Sequence, residues 1–274
     1  MSPTASRVED ENSPVWARVV QDYAELSSWT DPGEMIVISD LADTVRGHRI
    51  LDVGVGAGRS AWFLRLLSQD YLGIDYTPEM VQVARRMRPA VHFEVMDARH
   101  LVDIADGTCA LVIFTHAGLD SLDHQGRAEA LSEFRRVLAP DGVLVYSTLN
   151  RAGEFYRCGP GPVAPPGQRV GPYSTARFAA RAALRPRSHV RGFVNVRRNQ
   201  SRFADHGDWA VDTMPTHDWS LLVHYVTTGR ATAEVEEAGL EVTRLVSREG
   251  EDLPMESSDS STAWFHVVAR KASS

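Results

Sequence analysis

The feature that most constrains the fold is a glycine-rich turn between a short apolar segment and a helical one. Residues 49–53 are predicted to form a strand, and residues 52–58 read Asp-Val-Gly-Val-Gly-Ala-Gly. Glycines permit a tight turn and let a ligand approach the backbone closely. A strand, a Gly-x-Gly-x-Gly turn and a helix therefore predict a nucleotide-binding edge, but the glycines alone do not identify the nucleotide.

The sequence around this turn alternates between strand and helix signals. Helices are predicted over residues 60–68, 78–86 and 124–138, and further strands over residues 71–75, 91–96, 110–114 and 143–147. Strands that alternate with helices indicate a mostly parallel sheet with helices on both faces. We therefore expect an α/β, Rossmann-like fold.

The pattern also predicts the domain organisation. Residues 1–13 are expected to be a disordered tail, residues 14–150 an α/β core with an N-terminal helical cap that starts with a helix over 15–28, residues 151–228 an inserted Arg-rich lid or substrate-binding segment after strand 5, and residues 229–274 the completion of the core. Within the insertion, a helix is predicted over residues 175–184 and strands over 190–196 and 219–226. A loop-rich segment of this length is usually functional.

Three aspartates follow three successive predicted strands and narrow the choice of nucleotide. Asp75 can accept hydrogen bonds from both hydroxyls of a ribose, as it would in dinucleotide-binding proteins too. Asp52 would repel a pyrophosphate but suits an ammonium group, and Asp97 can accept a hydrogen bond from an adenine amino group. Each could instead cap the next helix. Together they favour a ligand with a cation and no phosphate, such as S-adenosylmethionine (SAM).

These segments resemble the successive motifs of the class I SAM-dependent methyltransferases. The resemblance rests on residues 50–60, 72–84, 93–101 and 111–148, the last of which contains the turn Ala139-Pro140-Asp141-Gly142. It is strong over residues 45–150 and moderate over 225–270. It implies a seven-stranded sheet whose last strand is antiparallel, and SAM as cofactor with S-adenosylhomocysteine as product.

The resemblance also implies which residues contact SAM. Tyr76 and Met80 would flank the adenine, whereas Thr115 and His116 would lie near the reactive methyl group. The complete predicted set is Tyr23, Trp29, Asp52, Gly54, Val55, Gly56, Gly58, Asp75, Tyr76, Met80, Met96, Asp97, Ala98, Thr115 and His116.

Candidates for the chemistry and for the methyl acceptor are few. His116 follows the fourth strand and is the first candidate for a general base, which helps when the acceptor is a hydroxyl or a protonated amine. A surface or hydrogen-bonded histidine is the alternative. The predicted acceptor-binding residues are His124, Tyr156, Tyr173, His217 and Tyr225, for which packing within the lid is the alternative.

Composition limits the partners. The net charge of −7 argues against general nucleic-acid binding. Residues 151–202 contain 11 arginines and a single acid, so we expect either binding of an anionic acceptor or an acidic carrier protein, or pairing with acids elsewhere in the chain. Two cysteines without a CxxC spacing predict no metal site, and no leader or membrane-spanning segment is visible, which favours a cytoplasmic enzyme.

The sequence therefore predicts a SAM-dependent methyltransferase that acts on N or O of a small molecule. The expected context is secondary metabolism, with antibiotic biosynthesis as one example. A homodimer is left open. The alternatives are SAM-dependent chemistry other than methyl transfer, such as cyclisation, an NAD(P)-binding protein and RNA binding through the arginines. Release of S-adenosylhomocysteine separates methyl transfer from the first alternative.

Overall fold

The computed structural model describes residues 7–20, 29–116, 118–161, 176, 179–180, 183, 186–255 and 261–272. Its helices are α1 (Val8–Arg18), α2 (Pro32–Val45), α3 (Ala61–Leu67), α4 (Pro78–Met87), α5 (His124–Val137), α6 (Pro186–Asn199) and α7 (Thr228–Glu237). Its strands are β1 (Ile50–Val53), β2 (Tyr71–Asp75), β3 (Phe93–Val95), β4 (Cys109–Phe114), β5 (Leu138–Asn150), β6 (Ala204–Asp205), β7 (Trp209–Thr213), β8 (Leu222–Val226), β9 (Leu240–Ser247) and β10 (Trp264–Lys271). Short 3-10 segments cover Leu119–Ser121, Gln200–Arg202 and His217–Trp219. Of these helices, none has the length and apolarity that a bilayer crossing requires.

All ten strands pair in one sheet. Its main path runs β3-β2-β1-β4-β5-β8-β7-β6, and β10 pairs with both β5 and β9. Strands β1 to β5 are parallel to their neighbours, whereas β10 is antiparallel to β5. The predicted Rossmann-like α/β fold is therefore confirmed. Seven strands follow the implied arrangement, β3-β2-β1-β4-β5-β10-β9, with the last strand β10 antiparallel, and β8, β7 and β6 are additional to it.

The additional strands come from the segment after β5. Strand β5 extends beyond the end of β4, and its last residues, Leu149 and Asn150, pair with Tyr225 and Val226 of β8. Strand β7 then pairs antiparallel with β8 and with the two-residue strand β6. Residues 204–226 thus extend the sheet, which corrects the expectation that residues 151–228 form an inserted lid throughout.

Two apolar layers hold the helices against the two faces of the sheet. Successive residues of β1 point to opposite faces, so Ile50 packs in one layer and Leu51 in the other. Helices α2, α3 and α4 cover the Ile50 face through Val37, Leu64 and Val81, among others. Helices α5 and α7 cover the Leu51 face, and both strand faces are therefore buried, as parallel sheets require.

Helix α1 corrects the predicted disorder over residues 8–13 and the predicted start of the first helix at residue 15. The first six residues of the predicted tail lie outside the described residues. The segment of residues 8–13 is polar, but its polar side chains find buried partners. Asn12 donates to the carbonyl of Leu222 at 2.6 Å and accepts from the amide of the same residue at 3.0 Å. The polar composition favours disorder when the segment is considered alone, because the partner of Asn12 lies 210 positions further along the chain. The rest of the predicted helix, residues 21–28, lies outside the described residues.

Helix α6 corrects the strand predicted over residues 190–196. Val190, Phe193 and Val194 are β-branched or aromatic and favour a strand locally, but their spacing of three and four also fits one side of a helix. A short apolar run does not separate these two structures. Most of the helix predicted over residues 175–184 lies outside the described residues.

A buried arginine joins the two helices of the Leu51 face. Arg127 of α5 is fully buried and donates to Asp120 at 2.7 Å and to Glu234 of α7 at 2.7 Å. Burial raises the pKa of Asp120 to about 6, although its bonds from Arg127 and Thr148 oppose that shift. Arg127 therefore neutralises two buried carboxylates, of which Glu234 also has Arg230 within 3.6 Å.

Candidate cofactor and acceptor site

The glycine-rich turn follows β1 and adopts backbone angles that other residues rarely adopt. Gly54, Gly56 and Gly58 have φ values of 61°, 55° and 86°. A Cβ atom on Gly54 would lie 2.3 Å from the ring of Phe114, so a side chain has no room there. The turn exposes backbone to a cavity that we call the glycine-loop cavity, lined by Trp16, Gly54, Gly56, Asp75, Met80, Thr115, His116, Ser121 and their neighbours.

Asp75 lies at the end of β2, on the floor of this cavity. One carboxylate oxygen accepts from the amide of Gly56 at 2.9 Å and the other from the amide of Thr77 at 2.8 Å. Burial raises the pKa of Asp75, while these two amide bonds act in the opposite direction. Each oxygen keeps a lone pair for a further donor, so the carboxylate can accept from two adjacent hydroxyls.

Asp52 lines the same cavity from the end of β1 and is 2% exposed. Its Oδ2 accepts from the hydroxyls of Ser60 and Tyr71, the latter at 2.6 Å. Burial raises the pKa of Asp52 to about 6, against the effect of these bonds and of Arg59. One oxygen is thus committed to the protein, and Oδ1 is the atom available to a ligand.

A side cavity continues from the glycine-loop cavity past Tyr76, Met96, Asp97 and Ala98. The carboxylate of Asp97 accepts from its neighbour Arg99, and Arg99 also binds Glu9 of α1. Burial alone would raise the pKa of Asp97, but the bonds from Arg99 hold it below its usual value. Helix α1 therefore closes one wall of this side cavity through an ion pair.

The wall of the glycine-loop cavity that contains Arg59 and Thr115 carries a second ion pair, which is buried. Glu34 of α2 is fully buried, binds Arg59 at 2.7 Å and accepts from Thr115 at 2.7 Å. Burial by itself would raise the pKa of Glu34, but Arg59 outweighs it and lowers that pKa to about 2. This pair fixes Thr115, the first residue after β4.

His116 follows Thr115 and stands where two cavities meet. Its φ is 68°, a strained value for a residue with a side chain, and its ring packs edge-on against Trp29 with 4.7 Å between the ring centroids. Its Nε2 is buried without a hydrogen-bond partner in the part of the chain that the structure describes. Burial and the nearby charge of Arg59 lower the pKa of His116 to about 4, so the ring is neutral at pH 7.

The second cavity, which we call the aromatic cavity, has a volume of about 260 Å³. It shares Trp16, His116 and Ser121 with the glycine-loop cavity. Its other lining residues are Leu149, Phe155, Met214, Thr216, His217, Val223 and Trp264. Among the described residues of this lining there is no aspartate, glutamate, lysine or arginine. Three strands contribute to the walls at or near their ends, namely β5, β8 and β10.

The predicted cofactor residues come together, with few exceptions. Trp29 packs on His116 but does not line the glycine-loop cavity, and Tyr23 lies outside the described residues. Gly58 belongs to the turn, and a Cβ added there would meet Phe93 and Arg88 and not a cavity. The remaining predicted residues line the glycine-loop cavity or the side cavity.

Of the predicted acceptor residues that the structure describes, one lines the aromatic cavity and three lie outside it. His217 lines the aromatic cavity, whereas Tyr156 contacts Asp205 in a separate pocket. Tyr225 is fully buried and its hydroxyl donates to backbone carbonyls, so it serves the packing of β8. His124 stacks on Trp209 away from both cavities. Tyr173 lies outside the described residues.

Several residues that line the site belong to no sequence motif. Trp16 lies on α1 and Trp264 is the first residue of the last strand. Ser121 follows the fourth strand within the short 3-10 segment and has a buried hydroxyl without a described partner. Only its place shortly after a strand end of the parallel sheet could have indicated it.

The described arginines of the basic segment are mostly paired. Arg151 and Arg157 bind Asp205, and Arg202 binds Glu11 of α1. Arg191 approaches Asp218 at 3.9 Å. None of these arginines lines the glycine-loop or the aromatic cavity.

Comparison with known proteins assigns the glycine-turn half of the sheet. Residues 50–142 match the family model described as a methyltransferase domain. The matched part of the chain, residues 50–142, belongs to this methyltransferase domain family. The match covers β1 to the start of β5, and therefore includes the turn and the aspartates at the ends of β1, β2 and β3.

Individual relatives agree with this membership. The chain is 32% identical over 114 residues to a demethylmenaquinone methyltransferase from Renibacterium salmoninarum, covering 42% of this chain and 46% of the relative. It is 29% identical over 169 residues to the O-methyltransferase cnsE from Penicillium expansum, covering 54% and 59%. The chain thus spans about half the length of the curated relatives it matches.

A solved structure extends the likeness of the fold to the whole chain. The 1,6-didemethyltoxoflavin-N1-methyltransferase from Burkholderia thailandensis, which was solved with 1,6-didemethyltoxoflavin and S-adenosylhomocysteine, covers 100% of this chain and 93% of its own at a TM-score of 0.59. The sequence identity is 14%, so this likeness concerns the fold alone.

The residues present fit SAM, the cofactor of this family. Two buried hydroxyls of the lining, Tyr76 Oη and Ser121 Oγ, have no partner among the described residues. Asp75 lines the glycine-loop cavity with lone pairs left for ribose hydroxyls, and Asp52 Oδ1 is available to an ammonium group. Tyr76 and Asp97 line the side cavity, where the adenine would lie.

Proposed function

We propose that this chain transfers a methyl group from SAM to an oxygen or nitrogen atom of a small, uncharged and at least partly aromatic molecule, with a hydroxyl oxygen as the preferred acceptor atom. The proposal rests on the junction of the two cavities. His116, Ser121 and Trp16 line both, so a ligand in the aromatic cavity would directly face the methionine end of the cofactor.

The composition of the aromatic cavity supports this acceptor class. Trp16, Phe155 and Trp264 offer flat apolar surfaces, and Met214 is an adaptable neighbour. Burying an unpaired charge against such a surface is strongly unfavourable. An uncharged ring with one or two polar substituents therefore suits the cavity better than an anionic acceptor.

His116 would accept the proton that the acceptor loses. Bound SAM supplies a methyl group that is already activated on a sulfonium. A neutral hydroxyl that gains a methyl becomes far more acidic, so a neutral imidazole with a pKa of about 4 can take up that proton. The buried, unpartnered Nε2 of His116 is the atom that would receive it.

The remaining residues would position and desolvate the reactants. The buried pair of Glu34 and Arg59 holds Thr115 and with it the end of β4. Trp29 packs on His116 and restricts the ring. Such positioning and exclusion of water can supply much of the rate of an in-line displacement.

Two finer elements of the proposal concern context. The first is a role in secondary metabolism, for example in antibiotic biosynthesis, which the O-methyltransferase among the relatives favours. The second is an acceptor bound to a carrier protein, which a relative named malonyl-[acyl-carrier protein] O-methyltransferase suggests. On α6, Arg187, Arg197 and Arg198 are exposed and would be the site for an acidic carrier. Reversing these three charges should weaken use of a carrier-bound acceptor while leaving turnover of the free acceptor unchanged.

The experiment is turnover with methyl-labelled SAM against a panel of phenols, aryl amines and aryl carboxylates, read as S-adenosylhomocysteine released and label in product. Phenols are expected to turn over fastest, and carboxylates slowest. Turnover of carboxylates alone would overturn the acceptor class. Product without S-adenosylhomocysteine would instead indicate non-methylating chemistry such as cyclisation.

A further inference from the structure

Away from both cavities, four buried polar atoms converge between α5, β8 and α7. They are Nδ1 of His124, both ring nitrogens of His224 and Oε1 of Glu234, and none has a hydrogen-bond partner within the described ranges. Buried polar atoms are nearly always paired, so a group of unpaired ones calls for a bound ion or water molecules that pair them.

The geometry brings one ligand atom from each residue together. His224 is fully buried, and the His124 Nδ1 to Glu234 Oε1 distance is 3.8 Å. The three ligand atoms all lie within 4.8 Å of one another. A tetrahedral zinc ion with bonds of about 2.0–2.1 Å needs roughly 3.4 Å between ligand atoms. The ligand atoms therefore have to approach one another by up to about 1.4 Å, and the partly exposed His124, at the first residue of α5, can contribute to this movement.

Neighbouring side chains orient these ligands. Trp209 stacks on both imidazoles, with ring centroids 4.6 Å from His124 and 4.9 Å from His224. Arg127 donates twice to Glu234 Oε2, at 2.7 and 3.1 Å, and leaves Oε1 on the side of His124. Partners of this kind hold metal-binding side chains in place.

The charges around the cluster admit a dication. Two guanidiniums face it, those of Arg127 and Arg230, and the latter approaches Glu234 Oε1 at 3.6 Å. Arg127 is shared with Asp120, and Arg230 binds Glu237 at 2.8 Å. Three carboxylates therefore outnumber the two arginines, and His206, stacked on Trp209, is the other titratable neighbour.

We infer that His124, His224 and Glu234 bind one Zn²⁺ ion, with water at a fourth position on the exposed side of His124. Two imidazole nitrogens and a carboxylate oxygen form a donor set that zinc uses. The ion joins β8, a strand of the extended sheet, to two helices of the core. It stands apart from methyl transfer, because none of its ligands lines the glycine-loop or aromatic cavity. The ligands are far apart in sequence and none is a cysteine, so the sequence analysis, which considered cysteine spacing, predicted no metal site.

The test is zinc binding by the full-length chain, purified without a histidine tag, stripped with EDTA and titrated with ZnCl₂ in competition with a chromogenic chelator. One ion per chain is expected. His124→Ala should weaken binding at least tenfold, and because this side chain is partly exposed the variant should fold. His206→Ala is the matched control, a neighbouring histidine outside the ligand set, and should change affinity less than twofold.

A second measurement distinguishes this site from any other zinc-binding group on the chain. Co²⁺ in place of zinc should give the intense visible bands of a tetrahedral ion in the wild type, and His224→Asn should abolish them. Absence of a stoichiometric ion, or equal affinity of wild type and His124→Ala, would overturn the zinc site and leave water as the occupant. S-adenosylhomocysteine binding, measured in parallel, reports on folding and on the cofactor site separately.

Discussion

Asp52→Asn should make the protein more stable and bind SAM less well. The substitution keeps the shape of a side chain that is 2% exposed, and the amide oxygen can still accept from Ser60 and Tyr71. It removes a carboxylate whose negative form is disfavoured by burial. The same carboxylate, through Oδ1, is the proposed partner of the cofactor's ammonium group.

The magnitude follows from the pKa of Asp52, which burial raises from 3.8 to about 6. A rise of roughly two pKa units corresponds to about 3 kcal/mol between the protonation states. Because the native state holds the proton more tightly, the free energy of unfolding falls as pH rises from about 4 to about 6 and stays reduced above. The variant should therefore be more stable than wild type by up to about 3 kcal/mol at pH 8, and equally stable near pH 4.

Urea unfolding without ligand, at pH 8 and at pH 4, measures this difference, and calorimetry with S-adenosylhomocysteine measures affinity. Loss of one charge-assisted contact should weaken binding by about 10- to 100-fold. Asp70→Asn is the matched control, because Asp70 is exposed, and it should change stability by less than about 0.5 kcal/mol. A variant that is less stable than wild type at both pH values would show that ionised Asp52 is stabilised by its neighbours, and would refute the reasoning.

Three further predictions concern single positions. Gly54→Ala should abolish detectable S-adenosylhomocysteine binding, because φ is 61° and the added Cβ would lie 2.3 Å from the Phe114 ring, so the turn would have to change its conformation. Gly159→Ala, with open space around it, should bind normally, and normal binding by Gly54→Ala would show that the turn tolerates a side chain. His116→Asn, in which asparagine tolerates the positive φ, should lower kcat by about 100-fold or more with cofactor affinity nearly unchanged. The kcat/KM of the wild type should stay level from pH 6 to 8, because the pKa of His116 is about 4. An unaltered kcat in the variant would mean that His116 only lines the cavity. Arg127→Met should lower the free energy of unfolding in urea by about 3–5 kcal/mol, since it strands two buried carboxylates, and a loss below about 1 kcal/mol would indicate that water reaches them.

The sequence was informative where function depends on local order. The glycine turn and the aspartates at the ends of β1, β2 and β3 follow from strand ends that share one edge of a parallel sheet, so spacing alone predicts their proximity. It was uninformative where partners are distant. Nothing near Asn12 shows that it binds Leu222, and the acceptor side is assembled from Trp16, Phe155 and Trp264, which lie on segments separated by more than a hundred residues.

The extension of the sheet by β7 and β8 has a consequence for how such enzymes diverge. Leu149, Val223 and Trp264 line the aromatic cavity from strands that are hydrogen-bonded to the same sheet that carries the glycine turn. Their side chains can change size while the backbone hydrogen bonds stay in place. Single substitutions at these positions can thus change which molecule fits the aromatic cavity. The glycine turn, at another place on the same sheet, keeps its structure.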